Sequence, residues 1–462
     1  MNFKKFSIII ALLSIELKVL SSPIKCHHSG KGKELCVGSD SDVSSEESSD
    51  FEISDTEIEF DEQNTVNVID TSFENRDDDN DLETTDYPTD SVNNNEETAE
   101  VPTDSVNDND LPCSDIQSCI GWMKENKEIL IEYGYDLPDE GFDYLLSQYQ
   151  DEKNVEKLQH DFDAIDYGIK VDVKGHKMSV NIKGEEHNTT IVVLPGMGID
   201  SPVIFYKSLT EILAKDYKVV TIEPFGYGVS DLAEDERTPK NVVSEIHECL
   251  QKLGIHQFYL MGHSLGGIHS IIYDNTFQNE VLGFIGLDNS PSNYDNYEYI
   301  RYNGDIVIFS KIFDKYHLWG LLPESQLKGF TSIDFEQQNQ NYSEEELKDI
   351  MTIIGYRNSN QNNLDEYNRF RDSATSTEGL YFHCPLLMFL SSQIEENIPE
   401  WVELHENMIN DNPDKELICK NNNPNEELSC KSKVIKFENT THGFLHTEKK
   451  EEISDEIKKW IN

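Results

Sequence analysis

The chain has 462 residues, and its 89 Asp and Glu against 38 Lys and Arg leave a formal net charge of −51. The excess is uneven: Val37 to Asp115 holds 27 of the carboxylates and a single basic residue, Arg76. Phosphate backbones and anionic lipid are bound through Lys and Arg, so this balance excludes nucleic acid as a partner and disfavours anionic membranes.

The N-terminus reads as a secretion signal over residues 1–22. Lys4 and Lys5 precede a mostly apolar run, Phe6 to Ile15, and small residues at Val19 to Ser22 suit cleavage. The run is too short to span a bilayer. Glu16 and Lys18 interrupt the pattern, so a short uncleaved anchor is the alternative to secretion. No later segment is apolar enough to cross a membrane. Eight cysteines agree with an oxidising destination, and three pairs lie close in sequence: Cys26 with Cys36, Cys113 with Cys119, and Cys419 with Cys430. Local disulfides are the expectation. No pair has zinc-knuckle spacing, and His27 and His28 beside Cys26 are the only hint of a metal. Cys249 and Cys384 are expected as lone buried thiols. Glycosylation sequons at Asn188, Asn341 and Asn439 fit secretion.

Residues 23–112 form an acidic low-complexity region. From residue 37 it is too poor in apolar side chains to offset chain entropy, and Pro-Thr-Asp-Ser-Val-Asn occurs at Pro88 and again at Pro102. Two readings stand: a flexible solubilising spacer, or a tail that binds calcium or a basic surface. Residues 113–167 read as a helical leader. Ile116, Ile120 and Met123 recur at helical spacing in a run that Gly134 ends. Phe142, Leu145, Leu146 and Tyr149 make a second helix, and Val155, Leu158 and Phe162 a third. The leader is expected to pack on the domain C-terminal to it and carries no evident chemistry.

At Gly168 the period becomes that of strands. Ile169–Val173 and Met178–Ile182 alternate around Lys174-Gly175-His176, which predicts an antiparallel pair at a sheet edge. Thr190–Leu194, Lys218–Glu223, Gln257–Met261 and Gly283–Leu287 are short apolar runs, and helical segments lie between them. This alternation predicts an α/β fold, a mostly parallel sheet with helices on both faces. Residues 291–383 break the rhythm and read as a helical cap over a site. Strands at Pro385–Leu390 and Lys433–Phe437 and helices near Trp401 and Glu451 complete the domain.

Gly262-His263-Ser264-Leu265-Gly266-Gly267 follows a predicted strand and opens a predicted helix. A serine on such a turn is held in strained backbone, so its neighbours must be small, and the glycines satisfy that. The helix start aims N–H groups at a developing oxyanion, and Leu265 N–H is the donor expected there. With these elements in order, residues 168–462 resemble a capped, esterase-like member of the α/β-hydrolase fold superfamily. The resemblance implies that Pro195-Gly196-Met197 is the oxyanion loop, with Met197 N–H as second donor and Pro195 where relatives have His. It also implies that Gly226-Tyr227-Gly228 is a structural turn. The general base comes last in this fold, which points to His442, after the final strand and before the last helix. His446 is read as a surface or supporting residue.

The triad acid departs from the family pattern. The strand after the cap ends without Asp, leaving Glu395 just beyond it or Asp288 at the end of the preceding strand, with Asp288 preferred. The expected chemistry is ester hydrolysis through an acyl-Ser264 intermediate on a small-molecule substrate, without a cofactor. Ser in place of an Asp nucleophile argues against epoxide or haloalkane chemistry. Peptidase, thioesterase and carbon–carbon hydrolase activities share the fold. A different class of reading is a secreted acidic binding protein with a lapsed hydrolase domain.

Overall fold

The computed structural model describes residues 25–29, 33–37, 111–132, 137–292, 304–328, 341–419 and 430–462. The expected signal segment, most of the acidic tract and parts of the cap, at 293–303 and 329–340, lie outside them. Near the N-terminus, β1 (Lys25–Ser29) and β2 (Lys33–Val37) form an antiparallel ladder in which Cys26 stands opposite Cys36.

The main sheet contains β3 (Ile169–Val173), β4 (His176–Lys183), β5 (Thr190–Leu194), β6 (Lys218–Glu223), β7 (Phe258–His263), β8 (Val281–Leu287), β9 (Leu386–Ser391) and β10 (Lys433–Phe437). Their spatial order is β10-β9-β8-β7-β5-β6-β4-β3. The β3–β4 and β4–β6 pairings are antiparallel, so β4 alone is reversed; the other pairings are parallel. The residue types follow this placement. Every residue of β5 and β9 is buried, as expected for strands covered on both faces, whereas β3 at the edge alternates towards solvent. The chain steps from β5 to β6 on one side and then passes back across β5 to β7 on the other, so the carboxyl ends of β5 and β7 open where the strand order reverses, the usual place for a site in an open α/β sheet.

The leader contributes more than its sequence promised. Its helices, Ile116–Glu125, Lys127–Glu132, Asp139–Tyr149 and Glu152–Asp163, share one core with the cap helices Gly304–Lys315 and Glu344–Arg357. Trp122 meets Phe309 at 5.2 Å between ring centroids, and Phe162 stacks on Tyr356 at 4.5 Å. The run from Ile116 is broken once, at Asn126 (φ −114°, ψ 16°), into the helices Ile116–Glu125 and Lys127–Glu132, and Gly134, where the run was expected to end, lies outside the described residues. Disulfides close Cys113–Cys119 and Cys419–Cys430, and Cys249 and Cys384 are buried thiols. Among the described residues no helix is long and apolar enough to cross a membrane.

Candidate active site

Ser264 stands between β7 and the helix Gly266–Thr276 with φ +49°, a left-handed conformation rare for a side-chain-bearing residue. The turn is possible only because its flanks lack side chains. A Cβ at Gly262 would lie 2.7 Å from the Gly266 carbonyl oxygen, and one at Gly266 would lie 2.7 Å from that of Leu194. The Ser264 carbonyl accepts from Ser290 N–H (2.8 Å) and Gly267 N–H (2.9 Å), which fixes the strained residue from both sides. Its side chain reaches the surface only slightly, at 9% exposure.

His442 lies on the loop after β10, its own N–H held by Gln393 Oε1 at 2.9 Å. Its Nδ1 is 3.0 Å from Asp288 Oδ2. A carboxylate can only accept, so Nδ1 carries the hydrogen and Nε2 keeps its lone pair. That Nε2 is buried and has no hydrogen-bond partner, so in the resting geometry no bond joins it to Ser264. Asp288 follows β8, also with positive φ, +45°, and is fully buried. Burial pushes its carboxyl up, but hydrogen bonds from His442, Ser391 and Trp401 outweigh burial and hold it below the usual carboxylate range. Trp401 Nε1 donates at 2.8 Å, Ser391 N–H at 3.2 Å, and the Ser391 hydroxyl donates as well. Glu395 is elsewhere, paired with Lys436 at 2.7 Å. The structure therefore brings Asp288 and not Glu395 to His442.

Met197 and Leu265, the expected oxyanion donors, flank the serine, and neither N–H bonds to another backbone group. Met197 packs against Leu265, Ile268 and the cap residues Tyr367, Phe370 and Ala374, so the cap lies directly on the oxyanion loop.

Behind the site runs a hydrogen-bond chain that sequence reasoning missed. Gly196 N–H donates to Tyr206 Oη (3.2 Å), Tyr206 Oη lies 2.9 Å from His263 Nδ1, and His263 Nε2 lies 3.1 Å from the His442 carbonyl. The carbonyl must accept, so His263 carries its hydrogen on Nε2 and takes the Tyr206 hydroxyl hydrogen on Nδ1. Burial, with His442 and His446 alongside, keeps the His263 pKa well below its ordinary value, so the ring stays neutral. This chain ties the oxyanion loop to the His442 loop. Its only sequence signal was a histidine directly before the serine. His446 is buried rather than at the surface, with Nε2 on the Phe205 carbonyl at 2.9 Å. Among the described residues no group of three or more His, Cys, Asp or Glu could hold a metal ion.

The family described as alpha/beta hydrolase fold matches residues 189–307, from β5 through the serine turn into the first cap helix. With the sheet order and the strained serine, this makes the chain an α/β-hydrolase-fold protein. The chain is similar to YbdG of Bacillus subtilis (strain 168), an uncharacterized protein, at 32% identity over 133 residues; that stretch is 28% of this chain and 41% of the relative, so about two-fifths of the relative is spanned. Among solved structures, the epoxide hydrolase VrEH1 of Vigna radiata shows 18% identity and a TM-score of 0.46, covering 65% of this chain and 99% of that one. The enol-lactonase of Burkholderia xenovorans LB400 shows 12% identity and a TM-score of 0.44, covering 63% and 99%. Likeness of this degree says nothing about substrate.

Proposed function

We propose that this chain is a serine hydrolase that cleaves small or medium carboxylic esters. The observation that carries the reading is the line Asp288–His442, which ends in a buried, unpartnered Nε2, with the His442 ring 5.0 Å from that of His263, the residue before the strained Ser264. Ser264 attacks the ester carbonyl while His442 Nε2 takes its proton, and Asp288 stabilises the imidazolium that forms. Met197 and Leu265 N–H receive the oxyanion. Collapse of the tetrahedral intermediate expels the alcohol, which leaves with the proton from His442. Water then repeats the sequence to release the acid and restore Ser264. The apolar contact of Met197 with Tyr367 and Phe370 favours an uncharged substrate of modest size. Two local disulfides favour an oxidising compartment and hence secretion.

A fluorophosphonate probe tests the mechanism. Wild type is expected to label and Ser264→Ala not to, with ester turnover falling by about 10³-fold or more in the variant. Equal labelling of both would end the proposal, and an unlabelled wild type would favour a lapsed hydrolase domain. Matched ester, thioester and amide substrates of graded acyl length would then fix the reaction class.

A further inference from the structure

The cap helix Gln361–Asn368 rests on the loop that follows β6 through a row of polar bonds. Asn360 Nδ2 donates to the Gly226 carbonyl at 2.8 Å. Asn362 pairs with both backbone groups of Ala233, at 2.8 Å each, and Asp365 accepts from Arg237 N–H at 2.6 Å. The row ends at Glu366, which accepts the Tyr227 hydroxyl. Both side chains are buried, with 3% of their surface exposed. The Tyr227 turn in turn holds the oxyanion loop: Gly228 N–H donates to the Asp200 carbonyl at 2.8 Å. Gly226 has φ +87°, and a Cβ there would meet Asn362 Cβ at 2.6 Å, so cap and turn are in direct contact.

A carboxyl group buried against a hydroxyl, with His269 Nε2 3.8 Å away and the Arg237 charge nearby, is a costly way to join two surfaces, and an apolar pair would pack at lower cost. What it supplies is direction. We propose that Glu366 is a positioning residue: the docked cap, acting through Tyr227, sets the oxyanion loop so that Met197 N–H meets the developing oxyanion. The cap is then part of the catalytic geometry as well as a cover. This inference rests on the serine-hydrolase reading of Ser264.

Three variants of the full chain test it: Tyr227→Phe, Glu366→Ala and Glu366→Gln. Loss of one oxyanion donor costs about 10²–10³-fold in kcat, so a displaced donor is expected to cost about 10–100-fold. Tyr227→Phe and Glu366→Ala should lose that much kcat with KM little changed. Glu366→Gln keeps an acceptor for Tyr227 and should recover most of the loss. Hydrogen exchange of the 196–200 amides should be faster in Glu366→Ala than in Glu366→Gln, whether or not Ser264 is a nucleophile. Unchanged kcat in Tyr227→Phe and Glu366→Ala, or no recovery in Glu366→Gln, overturns the proposal. So does equal amide exchange in the two Glu366 variants, a readout that survives even if the chain hydrolyses nothing.

Discussion

The cap is joined to the rest of the molecule along two seams of opposite character. Towards the leader the seam is apolar, with Phe142, Leu145 and Phe162 packed among Phe309, Ile353 and Trp319. Towards the loop after β6 it is polar, and Asn360, Asn362, Asp365 and Glu366 bond to specific atoms between Gly226 and Arg237. Apolar contact scales with area and tolerates small shifts. A hydrogen bond to a named backbone atom does not, so it fixes position more than it adds stability. The first seam keeps the cap on; the second says where it sits.

The strongest way to break the comparison is to strike the site that neither seam builds. Asp288 is held by β9 and the Trp401 helix, so Asp288→Asn should lower kcat by about 10³–10⁴-fold by upsetting the His442 tautomer. Glu395→Gln should leave kcat within about twofold, because losing one partly exposed pair with Lys436 costs little. Ester kinetics on the two variants checks both. At the apolar seam, Phe142→Ala should cost about 3–5 kcal/mol of stability, read from denaturant midpoints, with kcat per folded molecule unchanged.

The polar seam should respond to pH. Burial first, then Asp365 and Glu245, pushes the Glu366 carboxyl up to about 7, against the hydroxyl of Tyr227 and the charge of Arg237. His269 Nε2 lies 3.8 Å from Glu366, but burial and Arg237 push its pKa down to about 3, so it supplies no positive charge there. The folded state therefore binds a proton that the unfolded chain has released above its ordinary 4.5. Stability should fall as pH rises from about 4.5 to about 7, by on the order of 1–3 kcal/mol from this group. Glu366→Gln should flatten that part of the Tm profile, and parallel profiles would reassign the slope to other carboxyls. A modest loss is expected at Tyr206. Tyr206→Phe unties the Gly196 loop from His263 and should lower kcat by about 3–10-fold, near the worth of one buried hydrogen bond.

Most of the sheet was readable in the sequence because its inner strands announce themselves by burial. The expected strands at Thr190–Leu194 and Lys433–Phe437 match β5 and β10 residue for residue. The serine turn was readable because sterics leave it few alternatives to glycine. The carboxylate that meets His442 was readable only as a preference for Asp288, since Asp288 and Glu395 each follow a strand, and what separates them is Trp401 and Ser391 arriving from distant sequence. The Glu366–Tyr227 and Tyr206–His263 contacts were hidden for the same reason. They join residues 139 and 57 positions apart, and a lone Tyr or Glu in sequence carries no mark of its partner.

The leader's packing also sets an order of assembly. Phe162 precedes the whole main sheet, and its stacking partner Tyr356 follows β8. During synthesis the leader emerges first, with an apolar face that finds no partner until the cap has been made. Closing so long a loop is entropically unfavourable until the intervening strands have drawn its ends together. The earliest helices of the domain thus wait for contacts that the chain supplies only after β8 has been made.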